Sequence, residues 1–150
     1  MGIFQDLVER VTAYVGDKTL MHAAVSAASN VIVADSEVDE EEVEVALAAM
    51  RANPIIEKGY DTLMLEAELF DGIARARTRV GRADNLSRVA AIADRSIDQR
   101  NGVFLIAADA ADHEGISDVE HLALDEIAAA LAVDKEPLLH QTRVKPSVVS

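Results

Sequence analysis

The segment Leu20 to Ala34 runs MHAAVSAASNVIVA after its first leucine and carries an apolar or small side chain at almost every position. A helix of that composition has no wide polar face to give to water, so the pattern predicts a central helix buried on most of its surface. The rest of the chain must then wrap it. Half of all residues are apolar but only 3% are aromatic, and the load falls on Ala, Leu and Val with few Gly or Pro. Helices packed closely through small side chains fit that composition, and the expected class is all-α. His22, near the start of the segment, reads as a packed or hydrogen-bonded histidine rather than a ligand.

Other segments supply the wrapping. Ile3, Phe4, Leu7, Val8, Val11 and Val15 recur at three- and four-residue steps, which predicts an amphipathic helix that packs on the bundle and ends at Gly16-Asp17. Val43, Ala46, Leu47 and Met50 predict a second, ending at Asn53-Pro54 because the proline disfavours helical geometry before it. After a turn near Lys58-Gly59, Leu63, Leu65, Leu69, Phe70, Ile73 and Ala74 predict a helix over 62–80. Asn85 to Asp94 reads as a short helix with Leu86, Val89, Ala90 and Ile92 inward, and Ser96 or Asp98 starts the next. Val103 to Ala108 is a second strongly apolar run, followed by a stripe at Leu124, Ile127, Ala128 and Leu131. Val133-Asp134 closes that helix and a short turn begins around Pro137. At 150 residues one compact domain over 1–140 is expected, with 141–150 a mobile tail.

Each strongly apolar run leads into an acidic motif. The first is Ala34-Asp35-Ser36-Glu37-Val38-Asp39-Glu40-Glu41-Glu42-Val43, the second Ala111-Asp112-His113-Glu114-Gly115-Ile116-Ser117-Asp118-Val119-Glu120. Val38 pairs with Ile116, Asp39 with Ser117 and Glu42 with Glu120, each 78 positions apart. The expected architecture is therefore a pseudo-twofold repeat of helix, acidic turn and capped helix, which brings both acidic turns to one end. Asp39 and Ser117 are the natural N-caps. Glu42 and Glu120, three residues on, complete capping boxes, with Val38 and Val43 as a hydrophobic staple in the first copy and His121 at the weaker staple position in the second. Glu40, Glu41 and Glu42 also suit the positive end of the helix dipole.

Charge is segregated along the chain. Arg75, Arg77, Arg79 and Arg82 come in quick succession, with Arg88, Arg95 and Arg100 beyond them, whereas 34–44 and 109–126 hold no Lys or Arg. The arginines read either as a solvated face pairing with acids elsewhere or, at Arg75, Arg77, Arg79 and Arg82, as a docking surface for an anionic partner. A net charge of -13 argues against nucleic-acid binding, which rests on neutralising phosphates. Without cysteine there is neither a disulfide framework nor a thiolate metal site. No uncharged run approaches the roughly 20 residues that span a bilayer, the start has no signal-peptide character, and Asp6 stands where a myristoylation signal wants Ser or Thr. A cytoplasmic protein without membrane insertion is expected.

The sequence resembles the tellurite-resistance TerB family. The features that carry the likeness are Gly2-Ile3-Phe4, Lys18-Thr19-Leu20-Met21 leading into an Ala-rich helix, Val33 to Asp39 with Glu42, and Asp112 to Ser117 with Glu120 and Ile127 to Leu131. They cover most of 1–140. Family members look like A-D-G-x-hydrophobic-[S/T/D]-x-x-E at these turns; Ser36 stands where the first copy usually has Gly, and Gly115 is displaced past Glu114. The resemblance implies an all-helical domain of seven or eight helices, an acidic cluster that binds metal, and a role in tellurite or related chemical-stress resistance beside partner proteins, membrane-associated ones among them.

The candidate metal ligands are Asp35, Glu37, Asp39, Glu42, Asp112, Glu114 and Glu120. Capping is a sufficient reason for Glu42 and Glu120 to exist, which makes Asp35, Glu37, Asp112 and Glu114 the better ligands. Oxygen donors alone favour a hard cation, calcium first, then magnesium or manganese, with His113 an added nitrogen at most. An EF-hand is excluded, because the glycine and final glutamate its loop needs fall on Glu40 and Ala46. No H-E-x-x-H, phosphate loop, G-x-S-x-G or cysteine nucleophile is present, so neither an enzyme nor an organic cofactor is expected. The alternatives are a scaffold whose acidic turns are caps only and, behind it, a metal-dependent hydrolase.

Overall fold

The computed structural model describes residues 16–111 and 115–141. They form eight helices: α1 (Lys18–Ile32), α2 (Glu40–Ala52), α3 (Pro54–Gly59), α4 (Thr62–Ala76), α5 (Arg79–Ala90), α6 (Ile97–Ala111), α7 (Asp118–Leu131) and α8 (Lys135–Gln141). The all-α expectation holds. The helix expected over 3–15, the tail beyond 141 and the turn residues Asp112, His113 and Glu114 lie outside the described residues.

α1 is the buried centre. Every residue from Leu20 to Ile32 except His22 is buried, and α6, α4 and α5 pack along it, with α7 and α2 touching it less. Small side chains make this crowding feasible. Gly72 of α4 sits so close to α1 that a Cβ there would collide with Ser29 Oγ, and Ser29 turns that hydroxyl inward to donate to the Val25 carbonyl at 2.7 Å. Asp17 starts the helix by accepting from the Leu20 N–H at 3.1 Å. Its carboxylate also takes two hydrogen bonds from the Arg95 guanidinium, at 2.7 and 3.2 Å, which holds the Asp17 pKa below the usual carboxylate range and ties the start of α1 to the segment entering α6.

Two helix boundaries differ from those expected over 62–94. α4 stops at Ala76, and α5 begins at Arg79 rather than Asn85. Thr78 is the cause: its Oγ1 accepts from the Gly81 N–H at 3.0 Å, an N-cap that starts a new helix inside the arginine-rich stretch. The turn is tight enough that a Cβ on Gly81 would run into the Arg75 carbonyl. α4 also faces differently from its expected stripe. Leu65, Leu69, Gly72, Ile73 and Ala76 point inward, whereas Leu63 and Phe70 are 76% and 53% exposed. Likewise Ala90 is exposed while Val89 and Ile92 are buried. Asn53 ends α2 as expected and also caps α3, its Oδ1 accepting from the Ile55 and Ile56 N–H groups at 3.0 and 3.2 Å.

A polar network inside the bundle joins three helices. Asn85 Nδ2 donates to Asn30 Oδ1 at 2.9 Å and to the Gly72 carbonyl at 3.2 Å. Arg75 Nε donates to Asn85 Oδ1 at 2.9 Å, and Asn30 Nδ2 to the Arg82 carbonyl at 3.2 Å. Asn85 is fully buried, so its amide answers groups on α1 and α4 that would otherwise be stranded without water. Asn85→Ala should cost about 2–3 kcal/mol in chemical denaturation with the slope unchanged, because it leaves several buried partners unmet; a loss no larger than that of a surface alanine would contradict this.

Candidate metal centre

The first motif leaves α1 through a sharp turn. Ser36 adopts φ 71, the left-handed region where a non-glycine residue is strained, and its N–H donates to the Val33 carbonyl at 2.9 Å. This turn puts Asp35 on the surface, with Oδ1 accepting from the Glu37 N–H at 3.2 Å. Asp39 then caps α2, Oδ1 accepting from the Glu41 N–H at 2.8 Å. Gly115, at φ 99, holds the corresponding bend before α7. There Ser117 Oγ accepts from the Glu120 N–H at 3.3 Å while Glu120 Oε1 accepts from the Ser117 N–H and hydroxyl at 2.9 and 2.8 Å. The expected capping box is complete in this copy.

The first copy does not match it. Asp39 is met at Glu41 rather than at Glu42, and Glu42 Oε1 is buried without a hydrogen-bond partner. The capping role expected of Glu42 is therefore not filled. Its side chain goes inward instead, only 5% exposed, to meet Glu120, itself 4% exposed. Asp35 completes the group: one carboxylate oxygen from each of Asp35, Glu42 and Glu120 lies within 4.8 Å of the others. Two motifs 78 positions apart thus converge on one spot, through the third helical residue of each capped helix.

The grouping changes the ranking of ligand candidates. Asp35 is in the cluster, and so are Glu42 and Glu120, for which capping was a sufficient explanation. Glu37 is exposed and contributes only its N–H to Asp35, and Asp39 caps α2. Asp112 and Glu114, with His113, lie outside the described residues. Of the arginines, Arg75 is engaged by Asn85 and approaches Asp84 at 3.8 Å, Arg88 pairs with Asp84 at 3.1 Å, and Arg100 caps α7 through the Leu131 and Ala132 carbonyls at 3.2 and 2.9 Å. Arg77, Arg79 and Arg82 are exposed.

Three carboxylates this close repel one another unless a positive charge intervenes. Burial, above all, pushes the Glu42 carboxyl up to about 8, and the hydrogen bond to Glu120 and the charges of Glu120, Asp35 and Asp39 push the same way. At neutral pH a proton shared with Glu120 is one remedy, and a cation is the other. Two oxygens on opposite sides of a calcium ion stand about 4.6–5.2 Å apart, against about 4.0–4.2 Å for magnesium. Oxygens that all lie within 4.8 Å of one another are close enough to reach one such ion, and the all-oxygen donor set suits either.

The raised Glu42 pKa fixes the sign of a pH effect. In the folded chain Glu42 holds its proton to about pH 8, whereas unfolded it loses it near pH 4. The folded state therefore binds more protons between these values, and its stability is greatest below the lower one and falls as pH rises toward the upper one. With a chelator present, Tm should drop by several degrees from about pH 5.5 to 8.5, and Glu42→Gln should remove most of that slope. Equal slopes in the two proteins would show that Glu42 is not the group responsible.

No family model matches the chain, and neither the curated proteins nor the solved structures give a match.

Proposed function

We propose that the chain is a non-catalytic module of the TerB type that holds a divalent cation between its two acidic motifs and serves tellurite or related chemical-stress resistance in the cytoplasm through partner proteins. The observation that carries the cation reading is Glu42 Oε1, buried and unpartnered while facing two other carboxylates. An unmet buried carboxylate is costly enough that it is either neutralised or coordinated. The only other buried side-chain atom in that state among the described residues is the neutral Ser26 hydroxyl, for which the cost is far smaller.

The TerB assignment rests on the paired motifs in the sequence, and the pseudo-twofold repeat belongs to the same proposal. In support, α1 with α2 and α6 with α7 each place a buried helix before a capped one. No helix among the described residues is long and apolar enough to cross a membrane. Partners that are themselves membrane-associated would be met at a surface. Arg77, Arg79 and Arg82 are the exposed members of the arginine group and the natural contact for an anionic partner, with Arg75 positioning the turn that presents them. Replacing Arg77, Arg79 and Arg82 with Gln should weaken pull-down of co-expressed stress-resistance proteins while leaving Tm nearly unchanged; undiminished capture would remove this face from consideration.

The second reading is a scaffold in which Glu42 and Glu120 share a proton and the turns only connect helices. The closeness of the two carboxyl groups and the raised Glu42 pKa favour it. A metal-dependent hydrolase stands behind both, with no catalytic motif of its own. Thermal titration separates the first two, because a ligand that binds only the native state must stabilise it. Saturating calcium, or magnesium or manganese, should raise Tm by about 5–10 °C, as expected for roughly 2.7 kcal/mol at a hundredfold excess over Kd. Glu42→Gln and Asp35→Asn should abolish the rise. No shift with any of the three ions would leave the scaffold.

A further inference from the structure

Between α2 and α4 runs a groove of about 350 Å³ lined by apolar Val38, Val43, Leu47 and Phe70 and by Glu40, Glu44 and Glu66. Positions 40, 43, 44 and 47 share one face of α2 at helical spacing. That face is opposed by Glu66 and Phe70, one turn apart on α4. Phe70 is 53% exposed, and Leu63, two turns earlier on α4, is 76% exposed and extends the apolar strip. The core does not need these side chains, since α4 buries Leu65, Leu69 and Ile73 on its other face.

Among the described residues, the three charged side chains that line the groove, Glu40, Glu44 and Glu66, are all acidic. Carboxylates only accept hydrogen bonds, so whatever settles here must bring both apolar surface and cationic donors. We propose that the groove docks a partner helix that carries lysine or arginine beside its apolar anchors. The groove is about two turns long, the footprint of anchors at i, i+4 and i+7, and basic residues flanking them would reach Glu40, Glu44 and Glu66. An anionic lipid surface or an acidic peptide would be repelled by the same glutamates. The surface is separate from the cation cluster, because Glu42 leaves α2 toward the interior, and the inference does not depend on metal being bound.

The test uses the full chain and a fluorescein-labelled peptide of about 14 residues built from Leu, Ala and Lys at amphipathic spacing, read by anisotropy. Saturable binding is expected, weakened about tenfold by Phe70→Ala and by the double change Glu44→Gln with Glu66→Gln, and weakened by added salt. The same peptide with Glu in place of Lys should not bind. Leu122→Ala and Glu126→Gln, at the exposed apolar and acidic surface of α7, should leave affinity unchanged. The proposal is overturned if the full chain shows no saturable binding, which includes the case that a segment of the chain itself holds the groove. It is also overturned if the Glu peptide binds equally, or if affinity follows the α7 variants instead.

Discussion

The enclosure of α1 is the constraint on which the other elements depend. A helix covered on nearly all sides gains its stability from burial, but only if neighbouring helices come close and its amide side chain is answered, the Ser26 hydroxyl alone among its described buried polar side chains being left without a partner. The first condition explains Gly72 against Ser29 and the preponderance of alanine. The second explains why Asn30 is tied to Asn85, and why Asn85 reaches Gly72 and receives Arg75: one amide network fixes how α4 and α5 lie on α1. α1 ends at Ile32, and the turn beyond it delivers Asp35 to the point where α2 and α7 begin.

At that point the bundle departs from the economy of its core. Two glutamates are nearly excluded from water and face each other, with an aspartate beside them and no basic residue bonded to the three among those described. A scaffold had simpler choices, since a glutamine at either position could bond the other without repulsion. Glu120 has a structural duty in its capping box, yet that duty occupies Oε1 alone. Glu42 has no such duty, and its position makes sense chiefly as half of a site that takes up positive charge. A proton meets the need, and under the proposed function a cation would meet it by displacing the proton, which would couple occupancy to pH through one carboxyl group.

Local features were legible in the sequence because their causes are local. The all-round apolar run at 20–34 gave the central helix, Asp39 and Ser117 were readable as caps, Asn53-Pro54 as a boundary, and Ser117 with Glu120 as a reciprocal box. What escaped depended on encounters between distant segments. Glu42 and Glu120 occupy the same place in their two motifs, and that equivalence was the available signal that they could meet. A capping box explained each one separately and so concealed it. Thr78 as a cap lay inside a stretch whose apolar spacing suggested one continuous helix. Leu63 and Phe70 are apolar at helical spacing, but Phe70 follows Leu69 by about 100° of rotation, and only the packing of α4 on α1 decides which of them is buried. The buried amide network left no trace in periodicity, since asparagine in a helix looks the same from the sequence whether inside or outside.

The central claim is that the three carboxylates form one cation site, and crystals grown with manganese chloride test it most directly. Anomalous difference density collected at the manganese edge should show a single strong peak bounded by Asp35, Glu42 and Glu120, with oxygen distances near the 2.1–2.6 Å typical of hard cations, and the peak should vanish in Glu42→Gln crystals. A peak elsewhere on the acidic surface, or ordered Glu42 and Glu120 side chains still hydrogen-bonded to each other with no peak between them, would contradict it.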